Sequence, residues 1–164
     1  MSNVISYQDG DVCKLIIPTP VNENRLDDLA KELLPAGTVY KIIDTVSIPQ
    51  NRIFRNAWIL GVNEVLIDHP KAETLHLNRL KILRDKQLKQ LDMEYLKALE
   101  IKDAIEQTRV ANLKNQLRTM PETVDLASIP IDQLASYKPM YLEGNIEELG
   151  QVVAKTLVAG LLTN

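Results

Sequence analysis

DHPKAETLHLNRLKILRDKQLKQLDMEYLKALEIKDAIEQTRVANLKNQLRTM, residues 68–120, is the stretch on which the reading of this chain turns. Pro70 opens it, and neither proline nor glycine recurs before Pro121. Leu77, Leu80, Leu88, Leu91, Tyr95 and Leu99 follow at helical steps, with Arg84 where the row expects an apolar side chain. Such spacing is the stripe of an amphipathic helix, and Val110, Leu113 and Leu117 repeat it further on. Asp68 or His69 supplies the cap, and Pro70 stands at or near the first helical position, where its missing N–H costs nothing. The phase changes between Glu100 and Asp103: Leu99 ends one row, and Ile105 does not continue it. A helix hairpin would bury both rows against each other. One continuous helix is the alternative, and it would need a partner chain to cover its stripe.

Upstream of the arm the chain is richer in β-branched residues. Val4–Tyr7 and Val12–Ile17 read as strands around Asp9-Gly10, a hairpin signal because glycine accepts positive φ. Pro18 and Pro20 end the second strand. Asn22 or Asn24 can then cap a helix whose inner face is Leu26, Leu29, Ala30, Leu33 and Leu34, stopped by Pro35-Ala36-Gly37. Residues 38–46 read as a third strand, and 53–60 and 65–68 as two more joined across Gly61. The fold class is α+β, a small antiparallel sheet with one packed helix followed by the arm. The domains are residues 1–68, the arm at 69–120, and a C-terminal extension at 121–164. That extension has a short helical segment near Ile131–Tyr137 and an amphipathic run from Ile146 to Leu162 that is apolar enough to need burial.

With 164 residues, 45% hydrophobic and 25% charged, the chain is an ordinary folded protein. The net charge of −3 hides an uneven distribution: residues 70–120 hold eleven basic and seven acidic groups, and both flanks are net acidic. Cys13 is the single cysteine, so no intrachain disulfide and no cysteine-based metal site can form. The first residues lack the basic and apolar regions of a signal peptide, and no apolar run approaches a membrane span of about 18 residues. Synthesis in the cytoplasm is the expectation.

Each candidate for chemistry has a plainer reading beside it. His69, Glu73 and His76 share one face of a helix and could supply metal ligands, but no fourth ligand is evident and a capping role accounts for the first. Arg79, Lys81, Arg84, Lys86 and Lys89 form a basic cluster, yet they wrap the helix and have no aromatic among them. A solvated, ion-paired surface explains them better than a nucleic-acid site. Cys13 sits in a strand with no base on the same element. Glycine-rich phosphate loops and nucleophile elbows are missing, so the sequence points away from an enzyme, with no catalytic residue, cofactor or metal assigned. Residues 48–58, IPQNRIFRNAW, are the most distinctive local sequence. A strand there would put Phe54 and Trp58 on one face, as a core anchor or as a recognition strand edged by Arg52 and Arg55.

This box, met as Ile48, Pro49, Arg52, Phe54, Arg55, Ala57 and Trp58, resembles one found in a set of small tailed-bacteriophage proteins. There it precedes a helix whose pattern is matched by Asp68, Lys71-Ala72, His76, Arg79-Leu80, Arg84, Leu88, Leu91-Asp92, Glu94-Tyr95 and Ala98-Leu99-Glu100. The element Asn115–Pro121 and the pattern Pro35-Ala36-Gly37, Tyr40, Ile42, Asp44 are also similar, so the likeness spans roughly residues 4–140. The chain departs from the pattern at Ile101-Lys102-Asp103, where those proteins carry a glycine turn, and beyond Gly144. They are similar to tail-fibre assembly and tail-assembly chaperone proteins. The resemblance implies a non-enzymatic interaction module in virion morphogenesis, as a structural subunit or a chaperone. Other phage structural proteins would be its partners, homo-oligomers remain open, and it would be found in the host cytoplasm or in the virion. A regulatory or counter-defence protein that uses the basic arm on a host factor or nucleic acid is the alternative. The residues assigned to partner binding are Arg52, Arg55, Trp58, Arg84, Leu88, Leu91 and Tyr95.

Overall fold

The computed structural model describes residues 2–146. The chain divides into two compact units, Met1–Ala72 and Glu73–Asn164. The α+β reading holds, with a small antiparallel sheet, one helix packed on it and a long helical arm.

In the first unit, β1 (Asn3–Asp9) and β2 (Val12–Ile16) form a hairpin, and β3 (Tyr40–Asp44) pairs antiparallel on the other side of β1. Gly10 takes φ +58° at the first loop position, where a side chain would be strained. Strand alternation sorts the core into two layers. Ile5 faces α1 (Leu26–Leu33) and packs with Leu26, Leu29 and Ala30. Val4, Cys13 and Ile43 point the other way and pack with Trp58 and Val65. Leu33, expected on the inner face of α1, is 58% exposed, because the helix ends there and the chain turns away at extended Leu34. Neither asparagine caps this helix: its N-cap is Arg25, and Asp27 and Asp28 in the first turn complement the helix dipole instead.

The expected strand 53–60 is corrected in its first part. Arg52–Ala57 coils as 3-10 turns, and only β4 (Trp58–Leu60) is extended, paired with β5 (Val65–Ile67) in a second two-stranded ladder. Two causes are visible. The Asn51 side chain accepts a hydrogen bond from the Ile53 amide at 3.0 Å, which starts a turn. The buried residues Phe54, Ala57 and Trp58 then stand at i, i+3 and i+4, a helical spacing. The Gln8 side chain accepts from the Leu60 amide at 3.2 Å and so ties the second ladder to the first sheet.

The second unit is built on a hairpin of α2 (His69–Glu100) and α3 (Ala104–Thr123). Asp68 caps α2 by accepting from the Lys71 amide at 3.2 Å. The two helices run antiparallel: Gln107 donates to the Ala98 carbonyl at 3.2 Å, Arg109 pairs with Glu94 at 3.1 Å, and Lys114 pairs with Asp92 at 2.6 Å. The alternative of one continuous helix is thereby removed. The turn needs no glycine. Lys102 takes φ +59°, its amide bonds the Leu99 carbonyl at 3.1 Å, and the Asp103 amide bonds that of Ala98 at 2.9 Å. This is a Schellman closure, and Asp103 at once caps α3 through the Glu106 amide at 3.0 Å. Pro121 lies inside the last turn of α3, so the arm runs to Thr123 and not to 120. A strap follows, with α4 (Ile131–Leu134) within it, and buries Leu126, Leu134, Leu142 and Ile146. The amphipathic run expected from Ile146 to Leu162 lies, after its first residue, outside the described residues.

Candidate interaction surface

Helix α2 carries three different faces, and only one was legible as an apolar stripe. The first meets α3 through buried Leu91 and Ala98. Tyr95 lies half-buried beside it, with the Lys114 ammonium 5.4 Å from its ring centroid. Leu99, assigned to the same stripe, is 51% exposed, whereas Leu83, which was left out of it, is buried.

The second face is polar and buried. His76, Arg79 and Gln87 hold the strap through hydrogen bonds to its main chain. His76 Nε2 lies 2.9 Å from the Tyr137 carbonyl, which can only accept, so the proton is on Nε2. Its Nδ1 is thereby left to accept from the Arg79 guanidinium at 3.4 Å. Arg79 donates to the carbonyls of Ile146 at 2.7 Å and Ala135 at 3.4 Å. Gln87 donates to the Tyr141 carbonyl at 3.1 Å and accepts from the Glu143 amide at 3.0 Å. Burial, followed by the nearby Arg79 charge, holds the His76 pKa below its ordinary value. Burial also lowers that of Arg79.

His76 therefore spends both ring nitrogens on the fold. Among the described residues no three His, Cys, Asp or Glu side chains are placed to hold a metal ion. The basic cluster changes as well. Arg79 is buried, and Arg84 is half-buried and pairs with Asp85 at 2.7 Å, while Lys86 and Lys89 are exposed. Burial raises the Cys13 thiol pKa, so its reactive thiolate is scarce at neutral pH.

The third face of α2 points outward and was not assigned from the sequence. Ile82, Met93 and Leu96 are 49%, 58% and 52% exposed, on the side of the helix opposite Leu91 and Ala98. Leu99 flanks them, and Ile101 in the turn and Ile105 at the start of α3 are 74% and 85% exposed. The distal end of the hairpin thus concentrates large apolar side chains in water. Part of the signal lies in the sequence, where Ile105 does not continue the inner row.

The seven residues assigned to partner binding are divided between the two units, three in the first and four in the second. Arg52 and Arg55 are exposed on the 3-10 turns of the first unit, but Trp58 beside them is 1% exposed and belongs to the core. In the second unit Arg84, Leu88 and Tyr95 are half-buried, and Leu91 is buried in the hairpin. Burial removes Trp58 and Leu91 from any surface reading. A cleft of about 530 Å³ also opens between the end of α3 and the strap, lined by Val124, Ile129, Tyr137, Pro139 and Tyr141 among others. Among the described residues no helix is long and apolar enough to cross a membrane.

No family model matches the chain, and no curated protein or solved structure shows significant similarity to it.

Proposed function

We propose that this protein is a non-enzymatic interaction module that docks other proteins through the distal end of its helix hairpin. The carrying observation is the exposure of Met93, Leu96, Leu99, Ile101 and Ile105 in one region of a well-capped hairpin. Large contiguous exposed apolar patches are scarce on monomeric proteins and mark places where another protein docks. Helix-on-helix packing is the mode such a surface suits. The biological setting, morphogenesis of a phage tail or tail fibre as subunit or chaperone, rests on the motif resemblance.

Exposed Lys86 and Lys89 keep a second reading in view, a basic shaft that binds nucleic acid or a host factor. Against it, Arg84, Arg109 and Lys114 are already committed to Asp85, Glu94, Glu106 and Asp92. Mass spectrometry of purified virions and of tail-assembly intermediates tests the main reading, with copy number measured against the major tail protein. A stoichiometric signal in either is expected. Absence from both, together with host-factor or nucleic-acid binding that weakens steeply with salt, would refute it in favour of the second.

A further inference from the structure

We infer that the outward face of α2 pairs antiparallel with the same face of a second copy of this chain. The inference rests on reading the hairpin end as a docking surface, and it names the occupant. Ile82, Lys86, Lys89, Met93, Leu96 and Glu100 succeed one another at alternating steps of four and three. On a helix they form one line, the seam spacing of a coiled coil.

The composition of that line selects the orientation. In a parallel, in-register pair each residue meets itself, so Lys86, Lys89 and Glu100 would all face like charges, which is unfavourable. In an antiparallel pair centred between Met93 and Leu96, Met93 lies opposite Leu96 of the second copy, and the two-fold axis repeats the contact. Lys89 then lies opposite Glu100, and Lys86 comes level with Asp103 at the turn. Ile82, four residues further along, lies about 6 Å past the level of the turn and takes no part in the pairing. Apolar residues meet apolar ones, and basic meets acidic, only in this arrangement. Among the described residues, the strap's hydrogen bonds to α2 stop at Gln87, short of the distal end. The strap meets α2 at Arg79 and His76 through Ala135 and Tyr137, comes out no further than Gln87 through Tyr141 and Glu143, and turns back to Leu83 under Gly144 and to Arg79 through Ile146.

Two measurements on the full chain test this. Sedimentation velocity over a concentration series should show a reversible dimer. Leu96→Glu, at an exposed position where folding is spared, should raise its dissociation constant by about 100-fold or more, as expected for a central anchor lost twice. Lys89→Glu should weaken the dimer, and Lys89→Glu combined with Glu100→Lys should restore it. The orientation is read by mild oxidation of mixed Met93→Cys and Leu96→Cys proteins in a Cys13→Ser background. A mixed disulfide exceeding both homodimers is expected, whereas dominant homodimers would overturn the antiparallel pairing.

A monomer at every concentration overturns the inference in either of two ways. A fast-reacting Leu96→Cys thiol means an open surface, and a protected one means that residues 147–164 of the same chain cover it. The two readings fail separately. A monomer that still enters particles defeats the pairing alone, and a dimer absent from particles and intermediates defeats the proposed setting alone.

Discussion

Replacing Lys102 by glycine should stabilise the protein, although it deletes a whole side chain. Lys102 holds φ +59° so that the amides of residues 102 and 103 can bond back to Leu99 and Ala98. An L-residue pays roughly 1 kcal/mol or more for that conformation, and glycine does not. Glycine carries an opposing entropy cost of about 0.5–1 kcal/mol relative to alanine, and lysine contributes a few tenths through the helix dipole. Alanine is therefore the right reference, since it keeps the strain and drops the charge. Lys102→Gly should exceed Lys102→Ala in stability by about 0.5–1 kcal/mol on the balance of these terms. At Lys97, exposed inside α2, the same comparison should reverse, with alanine better than glycine by about 1 kcal/mol. Urea denaturation followed by far-UV circular dichroism reports the helices. The fluorescence of Trp58, the only tryptophan, reports the first unit. If glycine proves no better than alanine at 102, the closure does not depend on backbone strain and the reasoning fails.

Three further outcomes follow from the second unit. Leu91→Asp places a charge at a position 4% exposed, and should cost about 3 kcal/mol or more in urea midpoint analysis. Wild-type melting would take Leu91 out of the core. Gln87→Ala leaves the Tyr141 carbonyl and the Glu143 amide without their partners, costing about 1–3 kcal/mol, and amide exchange at Glu143 should accelerate while the α2–α3 contacts stay protected. Unchanged exchange there would dismiss the clamp. For His76 the sign is set by its depressed pKa: between that value and 6.5 the unfolded chain binds the extra proton. Its stabilising contribution is present above pH 6.5 and is lost as the pH falls through the native pKa. A His76→Gln variant should show a flatter stability profile between pH 7 and 5. An equally steep fall in the variant would assign the effect elsewhere.

What could be read from the sequence divides by the kind of signal each element gave. The β1–β2 hairpin, α1 and the arm announced themselves through Gly10, Pro70 and apolar spacing, signals that act within a few residues. The turn at residues 101–103 was half-legible: the phase break marked it, but the absence of glycine hid the closure, because lysine can be held at positive φ when two hydrogen bonds and a following cap support it. Arg52–Ala57 was misread because Phe54 and Trp58 fit two periodicities, and the Asn51 cap that decides between them is one side-chain bond. His76, Arg79 and Gln87 were invisible as a group, since their partners are carbonyls and an amide about 54–67 residues away, and a main-chain acceptor leaves no mark in the side-chain pattern.

The same geometry explains why α2 shows so weak a stripe for so long a helix. A helix packed on one side concentrates its apolar residues there, and the pattern is easy to see. Here α3 takes Leu91 and Ala98, and the strap takes His76, Arg79, Leu83 and Gln87 from an adjoining direction with polar side chains. Ile82, Met93 and Leu96 then put hydrophobicity back on the far side. The three demands nearly cancel in any single-period count. A surface helix with no further task would have carried lysine and glutamate on that third side, as it does at Lys86, Lys89 and Glu100. That Met93, Leu96 and Leu99 stand there instead, beside Ile101 and Ile105, is the departure that the proposed binding role would account for.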